Sequence, residues 1–152
     1  MSQNNWKALP ALQTARCECA AFTLNDVLIY CLCGYNSISG DLNTMEIMSV
    51  KSGSKWDYVN VTNMFSARAG IHGLQMSENE VIVFGANPSN SECYVLCIKK
   101  TVISVRVADL AEGSVFFMCA SPLLDGVCVY GSDYNRRIHI YSLANKNWEM
   151  IG

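Results

Sequence analysis

The sequence is poor in charge. Asp, Glu, Lys and Arg make up only 16% of its 152 residues, whereas 51% are apolar. This balance favours strands that are covered on both faces, and some apolar surface in contact with another chain. The net charge is −2, and the longest basic runs are Lys99-Lys100 and Arg136-Arg137. Because nucleic acids and anionic membranes are bound by clustered Lys and Arg, we expect neither as a partner.

Long apolar runs are absent as well. No stretch approaches the roughly 18 consecutive apolar residues that a membrane-spanning helix requires, and the first residues lack the charged and apolar regions of a signal peptide. We therefore expect a soluble, cytoplasmic protein. In that compartment the eight cysteines are expected to be reduced thiols that pack as small apolar groups.

Catalytic side chains are scarce. The chain has two histidines, His72 and His139, each inside an apolar run and without a recurring partner. No nucleophile with a base and an orienting group can be assembled from the sequence. We predict a protein without enzyme activity and without a cofactor.

Two cysteine pairs, Cys17-Glu18-Cys19 and Cys31-Leu32-Cys33, lie on predicted consecutive strands. Four thiolates would converge in a zinc site if Cys17 paired with Cys33 and Cys19 with Cys31. Paired cysteines in structural zinc sites are usually separated by two or more residues. Plain packing is the favoured interpretation, and no metal is predicted.

What the sequence does contain is a pattern that recurs about every fifty residues, as in proteins built from stacked units. In each unit a glycine-bearing pair follows an anchor residue. Arg16 precedes Cys33-Gly34, Arg68 precedes Gly85-Ala86, and Gly113 precedes Gly131-Ser132. The tryptophans Trp6, Trp56 and Trp148 recur at the same period, and the one missing position falls near Ile103 and Ser104.

Each unit divides into four short runs rich in Val, Ile, Tyr and Phe, separated by Gly, Asn, Asp and Ser, a pattern typical of strands and turns. The second run of each unit is apolar throughout, which indicates burial on both faces. The predicted strands are 17–24, 27–32, 43–50 and 56–61 in unit one; 69–76, 81–84, 92–98 and 102–107 in unit two; and 114–120, 127–130, 137–143 and 148–151 in unit three.

These units resemble the Kelch repeats. The resemblance lies in Arg16 with the run Ile29 to Gly34 and Trp56, in Arg68 with the run Val81 to Ala86, and in the run Val127 to Ser132 with Tyr141 and Trp148. It implies an all-β fold, a partial Kelch-type β-propeller of three four-stranded antiparallel blades plus an N-terminal orphan strand. The single domain, residues 1–152, would comprise the orphan strand 6–12 and blades 14–62, 66–108 and 112–152.

Three blades are fewer than the 4–8 of ordinary propellers. The chain would then be either part of a larger propeller or one half of a homodimer with six blades. The recurring positions, Arg16, Arg68, Gly34, Gly85, Gly131, Trp6, Trp56 and Trp148, are predicted to be structural. Each arginine is expected to brace loop carbonyls or a carboxylate.

The function that the resemblance implies is a non-enzymatic protein-protein interaction module that binds a protein partner through inter-strand loops. Tyr and Arg supply much of the energy of such contacts, and Asn and Ser supply adaptable hydrogen bonds. The candidate contact residues are Tyr35, Asn36, Ser37 and Ile38; Asn87, Ser89 and Asn90; and Asp133, Tyr134, Asn135 and Arg136. The alternatives are a structural subunit or self-assembling half-propeller completed by another chain, and a substrate-receptor fragment of a ubiquitin ligase.

Overall fold

The computed structural model describes residues 8–25, 27–53, 55–61, 66–85, 92–99, 102–110, 116–132 and 138–151. All regular structure in these residues is β-strand, which confirms the prediction of an all-β protein. A helix long and apolar enough to cross a membrane is not found in this part of the chain.

The strands form three four-stranded antiparallel sheets and one small hairpin, and none of the sheets closes on itself. Sheet one contains β1 (Ala20–Leu24), β2 (Leu28–Leu32), β5 (Thr44–Ser49) and β6 (Asp57–Asn60); sheet two contains β7 (His72–Gln75), β8 (Glu80–Phe84), β9 (Cys93–Ile98) and β10 (Val102–Val107); sheet three contains β11 (Phe116–Leu123), β12 (Gly126–Ser132), β13 (Ile138–Ser142) and β14 (Asn147–Ile151). In each sheet, strands that follow one another in this order are paired. The hairpin of β3 (Tyr35–Asn36) and β4 (Gly40–Asp41) lies between β2 and β5 in the chain.

Each of the twelve predicted strands is present, with boundaries that differ by a few residues. The largest differences at a strand start are three residues: β1 begins at Ala20 rather than at residue 17, and β7 begins at His72 rather than at residue 69. Gly70 has φ = 65°, a left-handed conformation that interrupts an extended chain. The hairpin of β3 and β4 was not predicted.

The orphan strand predicted over residues 6–12 is wrong for the described residues 8–12, which are not a strand. Pro10 has no N–H to donate to a strand ladder, and its carbonyl instead accepts a hydrogen bond from Nε1 of Trp56 (2.9 Å). This part of the chain therefore lies across a sheet face instead of extending a sheet edge.

The three sheets are stacked in chain order. The first strand of sheet two, β7, contacts the first strands of both its neighbours, β1 and β11. One apolar cluster joins sheet one to sheet two and contains Val81 and Val83 of β8. A second cluster joins sheet two to sheet three and contains Ile82 and Phe84 of the same strand. Because side chains alternate along a strand, β8 is buried on both faces, as its uninterrupted apolar sequence predicts.

The stack has two outer faces. On the outer face of sheet one, Cys31, Met48 and Trp56 form a buried cluster against which Leu12 packs. We call residues 8–14 the capping segment and this face the capped face. On the outer face of sheet three, Leu123, Ile138 and Ile151 are exposed, and we call it the bare face.

Candidate functional site

The hairpin of β3 and β4 carries the first group of predicted contact residues, Tyr35 to Ile38. The side-chain oxygen of Asn36 accepts hydrogen bonds from the backbone N–H groups of Ile38 (2.9 Å) and Ser39 (3.0 Å). The Asn36 side-chain nitrogen donates to the carbonyl of Ala15 (2.6 Å). Such local side-chain bonds fix the backbone of a turn. Asn36 therefore shapes the hairpin tip, and its amide group is already in use.

The other residues of the tip point outward. Ile38 is 95% exposed, and Tyr35 and Ser37 are also exposed. Single exposed apolar residues are ordinary on protein surfaces, but here an exposed isoleucine and an exposed tyrosine lie three residues apart on one short hairpin with a fixed backbone. Because the backbone of this turn is already fixed, ordering the loop adds little to the cost of binding. The tip is therefore a suitable contact point for another protein.

The hairpin is joined to the sheets through Gly34. This residue has φ = +100°, and a Cβ added to it would lie 2.5 Å from the carbonyl oxygen of Cys17. The Gly34 N–H donates to the carbonyl of Arg68 (2.9 Å), and the Arg68 N–H donates to the carbonyl of Leu42 (3.0 Å). Only glycine meets both the backbone angle and the close approach. The backbone before and after the hairpin is thereby bonded to the next unit.

Beneath the hairpin, Arg16 and Glu46 form an ion pair whose side chains are fully buried (Nη2 to Oε1, 2.7 Å). Nη1 of Arg16 also donates to the carbonyls of Cys33 (2.9 Å) and Thr44 (3.1 Å). The Glu46 carboxylate accepts the backbone N–H groups of Gln13 (2.7 Å) and Thr14 (3.0 Å). A buried ion pair is tolerated when further hydrogen bonds satisfy it, as they do here. The pair connects the capping segment, the end of β2 and β5.

The second recurring arginine occupies the equivalent place in unit two. Nη2 of Arg68 donates to Oε2 of Glu92 (3.0 Å), and its guanidinium lies over the ring of Tyr94 (5.3 Å to the ring centre). Cys31 pairs with Glu46 in sheet one, and Val83 pairs with Tyr94 in sheet two. Tyr94 therefore occupies in sheet two the position that Glu46 occupies in sheet one. The carboxylate that bonds the arginine of unit two comes from Glu92, two residues before Tyr94.

Sheet three has a third side chain at this position. Val129 is the counterpart of Cys31 and Val83, and it pairs with His139, which is buried. The predicted anchor of this unit, Gly113, lies outside the described residues. The bracing role predicted for the arginines agrees with the bonds of Arg16 and Arg68, but the sequence did not indicate which carboxylates they would bond. Glu46 could have been found, because it is a lone charge in an otherwise uncharged strand.

The strand register does not bring the four cysteines together as the zinc hypothesis requires. Ala20 pairs with Leu32, and Cys17 forms its bridge with Tyr35, so Cys17 does not pair with Cys33. The described residues contain no group of three or more His, Cys, Asp or Glu side chains that could hold a metal ion.

Cys19 and Cys31 nevertheless interact. A hydrogen bond from Cys31, supported by the nearby charge of Arg16 and opposed by burial, lowers the pKa of Cys19 to about 6. The same hydrogen bond, together with burial, raises the pKa of Cys31. Burial raises the pKa of Cys33 to about 12. Of Cys19, Cys31 and Cys33, Cys19 is therefore the thiol that ionises most readily.

The remaining predicted residues are partly outside the described chain. Gly85 follows β8 with φ = 77°, whereas Gly131 lies within β12, beside an irregularity in the pairing of β11 with β12. Trp148 is buried against Tyr141 and Phe84. Trp6, Asn87, Ser89, Asn90, Asp133, Tyr134, Asn135 and Arg136 lie outside the described residues.

His72 stacks on Phe84 (5.9 Å between ring centres), and burial lowers its pKa. It is a neutral packing residue at physiological pH.

No protein-family model matches this chain, and no curated protein matches it.

Proposed function

We propose that the chain is a non-enzymatic protein-interaction module of the Kelch type, with its three sheets as consecutive blades of a β-propeller. Three observations support this. The same strand order occurs three times, the first strand of sheet two contacts the first strand of each neighbour, and each pair of neighbouring sheets buries an apolar cluster. Adjacent first strands are what an arrangement around a central axis requires.

A cytoplasmic location belongs to the same proposal. The seven cysteines whose side chains the structure describes are free thiols. Disulfides are rare where glutathione and thioredoxin keep thiols reduced.

The observation that carries the proposed function is the hairpin tip. It presents Ile38 and Tyr35 outward, while Asn36 and Gly34 fix its backbone from both sides. Binding residues concentrate on loops that a rigid scaffold positions. An exposed isoleucine beside a tyrosine fits an apolar depression on a partner protein, with the tyrosine hydroxyl available at its rim.

The test is to compare proteins captured from a cell extract by the wild-type chain and by a Tyr35→Ala, Ile38→Asp double variant. We expect recovery of specific partners to fall by about tenfold, the effect of losing a central contact. Val50→Asp is the matched control, because Val50 is exposed in the turn after β5 and away from the tip. Equal capture by the double variant and the wild type would show that the tip is not the binding surface.

A second candidate function is a structural subunit or half-propeller completed by another chain. The bare face favours it, since three apolar side chains on one sheet face are exposed there. Ile138 and Ile151 are paired neighbours on that face, and exposed apolar neighbours often mark an association site. Light scattering over a concentration series tests this candidate: a mass that rises with concentration, and that falls back in Ile138→Glu, would support it. A constant monomer mass would argue against self-assembly.

A further inference from the structure

Two cysteines, Cys19 and Cys31, lie together on the capped face of sheet one. Cys31 of β2 belongs to the buried cluster of this face and pairs with Ala21 of β1. Cys19 lies two residues before Ala21, so side-chain alternation turns it toward the same side. Because the Ala21 side chain ends at its Cβ, it leaves room for the Cys19 side chain to reach Cys31. The two thiols are hydrogen-bonded to each other.

The other two cysteines of this region are turned away from the pair. Cys33 has a left-handed backbone (φ = 56°), and its side chain belongs to the cluster between sheets one and two. Cys17 lies on the far side of Glu18, which is also left-handed (φ = 53°), and its thiol donates to the carbonyl of Tyr35 (3.7 Å). Left-handed residues interrupt the alternation of an extended chain. The backbone thus separates Cys19 and Cys31 from their nearest sequence neighbours of the same type.

The pair combines an accessible thiol with a buried one. Cys19 is half-buried beside the exposed Ala21, whereas Cys31 is only 8% exposed. A small solute therefore reaches Cys19 first. The hydrogen bond from Cys31 and the positive charge of Arg16 lower the pKa of Cys19 to about 6, against the effect of burial. An accessible thiolate with a second thiol beside it is typical of cysteines that are oxidised reversibly.

We propose that Cys19 and Cys31 form a reversible oxidation site, at which a hydroperoxide converts the two thiols into a disulfide. The Cys19 sulfur attacks the hydroperoxide, the O–O bond breaks, and Cys19 becomes a sulfenic acid while the second oxygen leaves and takes up a proton. The Cys31 sulfur then attacks the Cys19 sulfur. The S–S bond forms, the S–O bond breaks, and the hydroxyl group leaves as water with the proton of Cys31.

Two electrons thus pass from the two thiols to the hydroperoxide, and a dithiol reductant returns them. The chemistry uses none of the exposed residues of the hairpin tip. The proposal therefore does not rest on the function proposed for the tip.

The test treats the full, reduced chain with hydrogen peroxide near neutral pH and then alkylates the remaining thiols with iodoacetamide in denaturant. Proteolysis before Asp26 separates Cys19 from Cys31, and cleavage after Glu18 removes Cys17. Mass spectrometry should then detect two peptides joined by a disulfide, with a mass about 2 Da below their sum because two hydrogens are lost. Dithiothreitol should separate them.

Variants identify the two sulfurs. In Cys31→Ser we expect the linked peptides to fall about tenfold and labelling of Cys19 by dimedone, a reagent for sulfenic acids, to rise, because no second thiol consumes the sulfenic acid. Cys19→Ser should abolish both signals. Cys17→Ser is the matched control: Cys17 is the more exposed thiol of the same segment, and its loss should leave the link unchanged. If Cys31→Ser does not fold, Cys19→Ser, a change at a half-buried position, decides the test.

The wild-type chain in urea provides a further control. Once the strand register is lost, linked peptides that contain Cys17 should appear beside those that contain Cys19.

Four results would each overturn the proposal. They are the absence of linked peptides from the folded wild-type chain, an undiminished link in Cys19→Ser or Cys31→Ser, a link to Cys17 that is as frequent in the folded chain as in urea, and disulfide-linked dimers in place of the internal link on a non-reducing gel.

Discussion

Sheets one and three have the same strand order, but the outer face of sheet one is covered and that of sheet three is exposed. On the capped face Met48 is only 1% exposed, whereas on the bare face Ile138 is 40% exposed. The difference arises from the capping segment, residues 8–14, which lies across sheet one. No corresponding segment covers sheet three within the part of the chain that the structure describes.

Among the described residues, a short irregular segment covers the outer face of sheet one. The capping segment supplies one apolar side chain, Leu12, and is held by polar bonds from Glu46 to the backbone of Gln13 and Thr14. Stacked repeats need terminal elements that cover their last apolar face. In sheet one an irregular segment fulfils this need without forming a further sheet.

The largest expected effect comes from removing the anchor of the capping segment. Glu46→Ala leaves the buried Arg16 guanidinium without its charge partner, and we expect a loss of about 3–5 kcal/mol in the free energy of unfolding. Urea denaturation measures it. Glu92→Ala is the comparison variant. It also takes a carboxylate partner from a buried arginine, Arg68, but Glu92 is 26% exposed, so water can enter in its place and we expect a smaller loss of about 1–3 kcal/mol. Equal losses in the two variants would mean that the burial of the Arg16–Glu46 pair does not determine how much the pair contributes to stability.

The same kind of truncation on the two outer faces should give different results. Met48→Ala removes a buried side chain beneath the capping segment, with an expected loss of about 2–4 kcal/mol. Ile138→Ala removes an exposed one, and the expected change is within about 0.5 kcal/mol. Thermal or urea unfolding of both variants checks this. A large loss of stability from Ile138→Ala, in a chain that stays monomeric, would show that other residues of the same chain cover the bare face.

A smaller effect is expected from Trp56→Phe, which deletes the hydrogen bond to the Pro10 carbonyl and some buried volume. We expect a loss of about 1–2 kcal/mol and partial release of the capping segment. Limited trypsin digestion with mass spectrometry should then detect cleavage after Arg16. Trp148→Phe, at the equivalent position of sheet three, is the control, and Arg16 should stay resistant in it. Cleavage after Arg16 in both variants would point to general unfolding.

The smallest expected effect is on a single ionisation. The folded pKa of Cys19 is lowered to about 6 from an ordinary 9.0. Its contribution to stability is therefore present above pH 9 and is lost as the pH falls through about 6. In Cys31→Ala the donor that stabilises the thiolate is gone, so we expect slower alkylation of Cys19 at pH 7. Cys128 is the reference thiol, and its rate should not change. An unchanged Cys19 rate would show that Cys31 does not control it.

Much of the fold was predictable because it depends on local sequence. Runs of β-branched and aromatic residues between turn residues located all twelve sheet strands, and the apolar run of β8 indicated a middle layer. The irregular structure of residues 8–12, where the orphan strand was expected, could not be predicted in the same way. Residues 8–12 have no pattern of their own that distinguishes a strand from a covering segment, and only Trp56 and Glu46, far away in sequence, decide between them.

The candidate site shows the same division. The exposed tip was located from the glycine-bearing pair Cys33-Gly34 that precedes it, but the role of Asn36 depends on a carbonyl twenty-one residues away, at Ala15. The register of β1 with β2, which decides where the cysteines lie relative to one another, could not be predicted either. It is set by the pairing of Ala20 with Leu32 and by the left-handed backbone of Cys33, at φ = 56°. A shift of two residues keeps every side chain on its face, so the apolar pattern alone does not choose between the registers.

Arg68 has a consequence for where this chain can be divided. Its backbone bonds to Gly34 and Leu42 of unit one, while its side chain bonds to Glu92 of unit two. The boundary between repeats in the sequence therefore does not coincide with the boundary of the unit that folds cooperatively. A fragment that ends at residue 61 would keep all four strands of its first sheet yet leave the backbone around its hairpin without two bonds, so the smallest autonomous piece of this protein should extend past the repeat boundary to include Arg68.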